Sequence, residues 1–176
     1  ALSSAASDVY KRQTHNGLED AVAWAHRMRD EGAHIIDVGG ESTRPGAEEV
    51  PPEVEIARVL PVVRELVSHG VAVSVDTRHA SVAEVCVDAG ACIVNDVSGF
   101  RSADMREVAA RGDAGLVVMH MRGTPKTMQD APAYDDVVHE VEQEMMRMVT
   151  RLTTEGVEPG RICLDVGIGF GKNVMH

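Results

Sequence analysis

Aromatic side chains are almost absent: they make up 3% of the 176 residues, as two Phe, two Tyr and one Trp. Any core must therefore be built from Val, Ile, Leu, Ala and Met, and a hydrophobic fraction of 44% suffices for one. Cysteine is scarce too. Cys86, Cys92 and Cys163 are odd in number and form no CxxC pair, which argues against a disulfide framework or a zinc site and predicts buried, reduced thiols. No Lys/Arg cluster interrupts a formal net charge of −11, so nucleic acid is excluded as a partner. No apolar run approaches the length of a membrane span. Ala1–Ala6 has no basic region or long apolar stretch and is not a signal peptide. The eight histidines show no metal-ligand spacing. These absences predict a soluble cytoplasmic protein with no membrane partner.

One pattern recurs five times: a β-type apolar run ending on a polar, chemically capable residue. The runs are Ile35-Ile36-Asp37, Val71–Asp76, Ile93-Val94-Asn95, Leu116–His120 and Ile162–Asp165, each preceded by a helical stretch. Short apolar runs alternating with helices indicate parallel strands buried on both faces. Their polar ends gather on one side of the sheet, where barrel and open-sheet α/β enzymes keep their sites.

Helices are expected over about 16–31, 52–69, 80–89, 103–111 and 135–155. The first is capped by Asn16 with Glu19 in the capping box and buries Leu18, Val22, Ala25 and Met28. The second starts at Pro52, buries Val54, Ala57, Leu60, Val63 and Val67, and carries a kinking Pro61. The last buries Val137, Val141, Met145, Met148 and Leu152. Five strands do not complete a (β/α)8 barrel, which has eight strands over about 250 residues. The fold class is therefore α/β, an incomplete (β/α)8 TIM barrel of about five strands with its first and last strands missing; an open flavodoxin-like sheet is the runner-up. Residues 1–13 show no period and are expected to be an unmatched leader outside the fold. Residues 14–176 form the partial barrel.

Three groups of residues carry chemistry. In the loop Asp37–Gly46, two glycines allow a sharp turn, Ser42 and Thr43 offer hydroxyls, Arg44 offers a fork suited to phosphate or carboxylate, and Pro45 stiffens the chain. Asp76, Asn95 and Asp165 each end a strand. Two carboxylates and an amide suit a flat heterocycle, because a carboxylate accepts two parallel N–H bonds from an amino-pyrimidinone edge; the plainer reading has each capping the next helix. Met119-His120-Met121 ends the fourth run, with His120 either a general base or a structural histidine. Gly167–Lys172 fails the Walker pattern at Val166 and Asn173, and fails GxGxxG at Lys172. What remains is a glycine-rich mouth with Phe170 available to stack and Lys172 nearby.

IIDVGGESTRPG, SVDT, IVNDVSGF, MHMRGTPKTMQ and LDxGIGFGK, in this order and spacing, resemble dihydropteroate synthase from about Thr14 to His176. The resemblance implies a pterin-binding barrel that condenses 6-hydroxymethyl-7,8-dihydropterin diphosphate with p-aminobenzoate, giving 7,8-dihydropteroate and diphosphate for folate synthesis. It implies that Asp76, Asn95 and Asp165 hold the pterin and, with Arg44, carry catalysis. It makes Met119, Phe170 and Lys172 substrate-binding, and assigns Thr43, Arg44 and Pro45 to the loop for diphosphate and p-aminobenzoate. Magnesium is the implied cofactor, but no residue here is an implied ligand, because the family's metal-contacting Asn lies upstream of Thr14. The family is usually homodimeric and is the target of sulfonamides. Val166 stands where the family usually has Pro, a minor departure. The family's first substrate loop lies upstream of Thr14, and its Ser-Arg-Lys strand and last strand, with Arg and His for the diphosphate, lie beyond His176, so these 176 residues alone are expected to be inactive. The alternatives are the pterin-binding domain of a folate-dependent methyltransferase and a pterin-binding fragment without catalysis.

Overall fold

The computed structural model describes residues 2–4, 17–42, 48–124, 127–129 and 133–173. Within these residues strands and helices alternate: β1 (Leu2–Ser4), α1 (Gly17–Asp30), β2 (Ile35–Gly39), α2 (Pro52–Ser68), β3 (Ala72–Asp76), α3 (Ala80–Asp88), β4 (Ile93–Asp96), α4 (Ala103–Arg111), β5 (Gly115–Met119), α5 (Val137–Thr154) and β6 (Ile162–Asp165). A 3-10 turn at Pro159–Arg161 leads into β6. The six strands lie in the order β1-β2-β3-β4-β5-β6, every neighbouring pair parallel. This sequential order is that of a barrel wall. A flavodoxin-like sheet would place its first strand between the second and third.

The five strands read from the sequence are all present, and a sixth corrects the reading of 1–13 as lying outside the fold. Leu2, Ser3 and Ser4 are in register with Ile35, Ile36 and Asp37. An edge strand of three residues joins through backbone N–H and C=O groups and needs no hydrophobic period, so no such signal marked it. The rest of that stretch, with Thr14 and the Asn16 cap, lies outside the described residues.

Side chains alternate between the two faces of the sheet. Ile36, Val38, Val73, Val75, Val94, Leu116 and Val118 point to the helices and are buried with Val59, Val63, Leu66, Val82, Cys86, Met105 and Leu152 in one core. The other face carries Asp37 and Ser74 in one row, then Gly39, Asp76, Asn95, Val117 and Cys163 in the next, then Met119 and Asp165. The polar residues at the strand ends thus share one face as well as one edge.

Three expectations change. Helix α2 runs unbroken through Pro61 and buries Glu55, Val59, Val62, Val63 and Leu66, leaving Val54 exposed. The stripe is rotated because Glu55, fully buried, meets His79 Nδ1 through its Oε2 at 2.6 Å, and apolar periodicity cannot anticipate a buried charge. In α1, Leu18 is exposed, and Ala21, Ala25 and Met28 are buried. Of the thiols only Cys86 is buried; Cys92 and Cys163 are exposed.

The turn after β4 shows how the sheet edge is fixed. Buried Asp96 accepts from Ser98 N (2.7 Å), Ser98 Oγ (2.9 Å) and Phe100 N (2.8 Å). These bonds hold Phe100 at a φ of 57° with its ring in the core, a left-handed conformation unfavourable for a bulky residue. Asp96→Ala strips the donors of their acceptor; we expect unfolding free energy to fall by about 2–3 kcal/mol, measured as a lower urea midpoint at unchanged m-value.

Candidate active site

Asp76 and Asn95 are direct register partners on β3 and β4. Asn95 Nδ2 donates to Asp37 Oδ2 across the face at 3.3 Å. The second oxygen of Asp37 and the Ser74 hydroxyl are buried without a partner. Among the described residues the Asp76 carboxyl takes part in no hydrogen bond or ion pair, although its residue is partly open to solvent. Its burial, reinforced by the charges of Asp37, Asp96, Glu55 and Glu41, pushes the carboxyl well above the ordinary aspartate range. Burial also raises Asp37 and Asp96. Strand-end acceptors with no donor among the described residues suit a ligand rich in N–H groups.

The helix-cap reading fails for Asp76 and Asn95. The cap positions of α3 and α4 are His79 and Ser102, and neither makes a side-chain cap bond. Asp165 faces Met119 across β5 and β6, is exposed, and accepts from Gly167 N at 2.8 Å, fixing the turn out of the strand. Met119 packs with Val97, Met121, Met128 and Phe170, forming an apolar wall beside the acidic face. Met119 and Phe170, both implied to bind substrate, thus belong to one apolar cluster. Thr43, Arg44 and Pro45 lie outside the described residues.

The glycine-rich loop 166–172 lies directly on the end of β5. Gly167 has a φ of 63°, and a Cβ there would stand 2.1 Å from the His120 carbonyl oxygen. Only glycine permits that approach. Lys172 closes the loop: its Nζ reaches His120 Nδ1 (2.9 Å) and the carbonyls of Phe170 (3.1 Å), Gly167 (3.2 Å) and His120 (3.4 Å). The Lys172 ammonium is placed as a clasp on the loop. His120 is fully buried between Lys172 and Glu144, with Nε2 3.0 Å from Glu144 Oε2. Because the ammonium can only donate, Nδ1 accepts and Nε2–H donates to Glu144, making His120 the structural histidine. Arg122 continues the chain to Glu144 (3.0 Å) and Glu140 (2.5 Å), and stacks 3.9 Å above Tyr134. Glu144 and Arg122 escaped sequence reading because nothing local marks a partner 22 residues away. Asp37 was legible only as one more polar strand end.

The comparisons bear on this geometry. A family model for pterin binding enzymes matches residues 4–176. The chain belongs to the pterin-binding enzyme family. It is 46% identical over 164 residues to the dihydropteroate synthase of Escherichia coli (strain K12), covering 93% of this chain and 58% of that protein. A Yersinia pestis dihydropteroate synthase solved with a sulfonamide drug superposes with a TM-score of 0.92 at 38% identity, over 100% of this chain and 65% of that one. The Burkholderia cenocepacia synthase complexed with 7,8-dihydropteroate gives 0.85 at 40% identity, over 99% and 59%. The chain thus spans a little over half the length of the curated relatives it matches.

Two predictions follow from the charges. A carboxyl raised on folding costs stability as pH climbs from about 3.8 through its higher folded value. Asp76→Asn should therefore raise the melting temperature of ligand-free protein at pH 7, by roughly 2–4 °C, measured by calorimetry. His120 behaves oppositely. Burial, then the Lys172 charge, holds it below its ordinary 6.5, so stability is complete above pH 6.5 and falls as the unfolded state takes up a proton first. We expect His120→Gln, which keeps a donor and an acceptor, to flatten the melting profile between that pH and the lower folded value.

Proposed function

We propose that the protein bearing this chain is a dihydropteroate synthase, joining 6-hydroxymethyl-7,8-dihydropterin diphosphate to p-aminobenzoate in folate biosynthesis. The observation that carries the reading is the Asp76 carboxyl, without a hydrogen-bond partner among the described residues, beside the Asn95–Asp37 pair. The N–H edge of an amino-pyrimidinone supplies the donors that Asp76 and Asp37 lack, and Asn95 both donates and accepts. Asp165 completes the rim, and Met119 and Phe170 cover the ring. The family match and the likeness to synthases solved with a sulfonamide and with dihydropteroate support this assignment.

The chemistry is the departure of diphosphate from the pterin methylene carbon. The C–O bond breaks with both electrons going to diphosphate, and the methylene carbon becomes cationic. The carboxylates of Asp76 and Asp165 stabilise that charge by being fixed before it develops. The amine nitrogen of p-aminobenzoate then forms the new C–N bond and loses a proton to water. Arg44, with Thr43 and Pro45, is assigned to the leaving diphosphate and the second substrate. Magnesium belongs to the proposal as a companion of the substrate's diphosphate. Among the described residues no group of three or more His, Cys, Asp or Glu could hold a metal ion. No described helix is long and apolar enough to cross a membrane; the reading carries a cytoplasmic location and a homodimer, as the resemblance implies.

The test is product formation by the full-length protein. Dihydropteroate and diphosphate should appear in equal amounts, and Asp76→Asn should lower kcat/KM by about a hundredfold or more while remaining folded. A full-length protein that binds pterin but releases no diphosphate in the presence of p-aminobenzoate would place it among the non-synthase pterin binders.

A further inference from the structure

A cavity of about 340 Å³ opens between α5, α4 and the turn that joins β4 to α4. Arg101 of the turn, Arg106 of α4, and Arg147 and Arg151 of α5 all line it. Four of the chain's 17 Lys and Arg residues therefore surround one cavity, in a chain whose net charge is −11. They come from two separate stretches of sequence, so no local run of basic residues marks them. The one carboxylate among the lining residues, Glu144, is already engaged. Its Oε1 accepts from Arg122 at 3.0 Å, and its Oε2 lies 3.0 Å from His120 Nε2. It leaves the four guanidinium charges largely unopposed.

Two of these cations are fixed before any ligand arrives. Arg106, only 13% exposed at the side chain, donates from Nε to both Glu155 oxygens (2.9 and 2.8 Å). Its Nη1 donates to the carbonyls of Phe100 (3.2 Å) and Arg101 (2.7 Å), while Nη2 makes no bond among the described residues. Arg101 donates to Gly123 O at 2.8 Å and to Met121 O. The other two cations are exposed and sit one helical turn apart, where like charges repel; neither forms an ion pair among the described residues. Arg151 gains from the C-terminal end of α5, but Arg147 lies a turn too early for that. Met148 gives the cavity an apolar wall, packed so closely that a Cβ on Gly99 would stand 2.9 Å from its Sδ.

We propose that this cavity binds the diphosphate group of a small molecule, at a site separate from the acidic strand-end face. A guanidinium presents parallel N–H donors that match the oxygens of a phosphate. Four of them suit two linked phosphate groups, whereas a dicarboxylate carries less charge and no tetrahedral oxygens. Prior fixing of Arg101 and Arg106 lowers the ordering cost of binding, and the bound anion relieves the repulsion between Arg147 and Arg151. The site stands independently of the proposed function. Its residues belong to the helical layer, whereas Asp37, Asp76 and Asn95 lie on the opposite face of the sheet.

The experiment titrates inorganic diphosphate, ADP and succinate into the full-length protein by calorimetry, with EDTA present and at low ionic strength, and records the melting temperature alongside. Wild type is compared with the double variant Arg147→Gln/Arg151→Gln and with Arg64→Gln, an exposed change on α2 outside the cavity. Diphosphate should bind wild type and Arg64→Gln with affinities within about twofold of each other, and the double variant about tenfold or more weakly. Ligand-free, the double variant should melt no lower than wild type, since it loses a like-charge contact. Binding of ADP as tight as that of diphosphate, or tighter, assigns the site to a phosphate ester; weaker binding of ADP assigns it to the free anion. Both sustain the proposal. Absence of saturable diphosphate binding to wild type overturns it. Equal affinity in wild type and the double variant also overturns it, placing the anion elsewhere, the strand-end site included. Succinate binding as tightly as diphosphate overturns the ligand class.

Discussion

The fold is organised around a carboxylate that the described residues leave unsatisfied. Asp76 ends a buried strand, faces the polar side of the sheet and has no hydrogen-bond or ion-pair partner among the described residues. Asp37, on the neighbouring strand, is half-satisfied by Asn95 and leaves its second oxygen bare. Buried polar groups are ordinarily paired, so a cluster left open at the end of a rigid sheet is stored binding capacity. Under the proposed function, a heterocycle presenting N–H groups would supply the donors those carboxyls lack.

The remainder of the structure keeps that cluster in place. Parallel register puts Gly39, Asp76, Asn95 and Val117 in one row, and side-chain alternation turns the apolar residues between them into the helices. Asp96, immediately after Asn95 and on the opposite face, ties down the turn that follows. On the far side, Lys172, His120, Glu144 and Arg122 form a continuous chain of polar contacts fastening the glycine-rich loop to β5 and α5. On the near side, Glu41 accepts from Arg78 and from Val50 N. Strands thus present the acceptors, and the clasped glycine-rich loop flanks them.

Much of this was legible in the sequence, and the exceptions have a common cause. The alternation of helices with apolar runs ending in Asp76, Asn95 and Asp165 carries its own signal, because both periodicity and strand-end polarity are local. The short strand Leu2–Ser4 carries none, since its pairing uses only backbone. The rotated face of α2 was hidden because burying Glu55 depends on His79, 24 residues away. His120 is ambiguous in sequence and resolved only by the two charged partners the fold brings to its ring. Exposed Cys163 looks like core when β6 is read as a strand with two covered faces. Thr43, Arg44 and Pro45 were read from a motif and lie outside the described residues.

The most direct test of the central claim is a titration of the Asp76 side-chain carboxyl by carbon-13 NMR, assigned by comparison with Asp76→Asn and repeated with 6-hydroxymethylpterin bound. The account predicts a midpoint well above 3.8 in the free protein, falling when the pterin's N–H donors engage the carboxylate. A free-protein midpoint at the ordinary aspartate value, unmoved by the pterin, would contradict it.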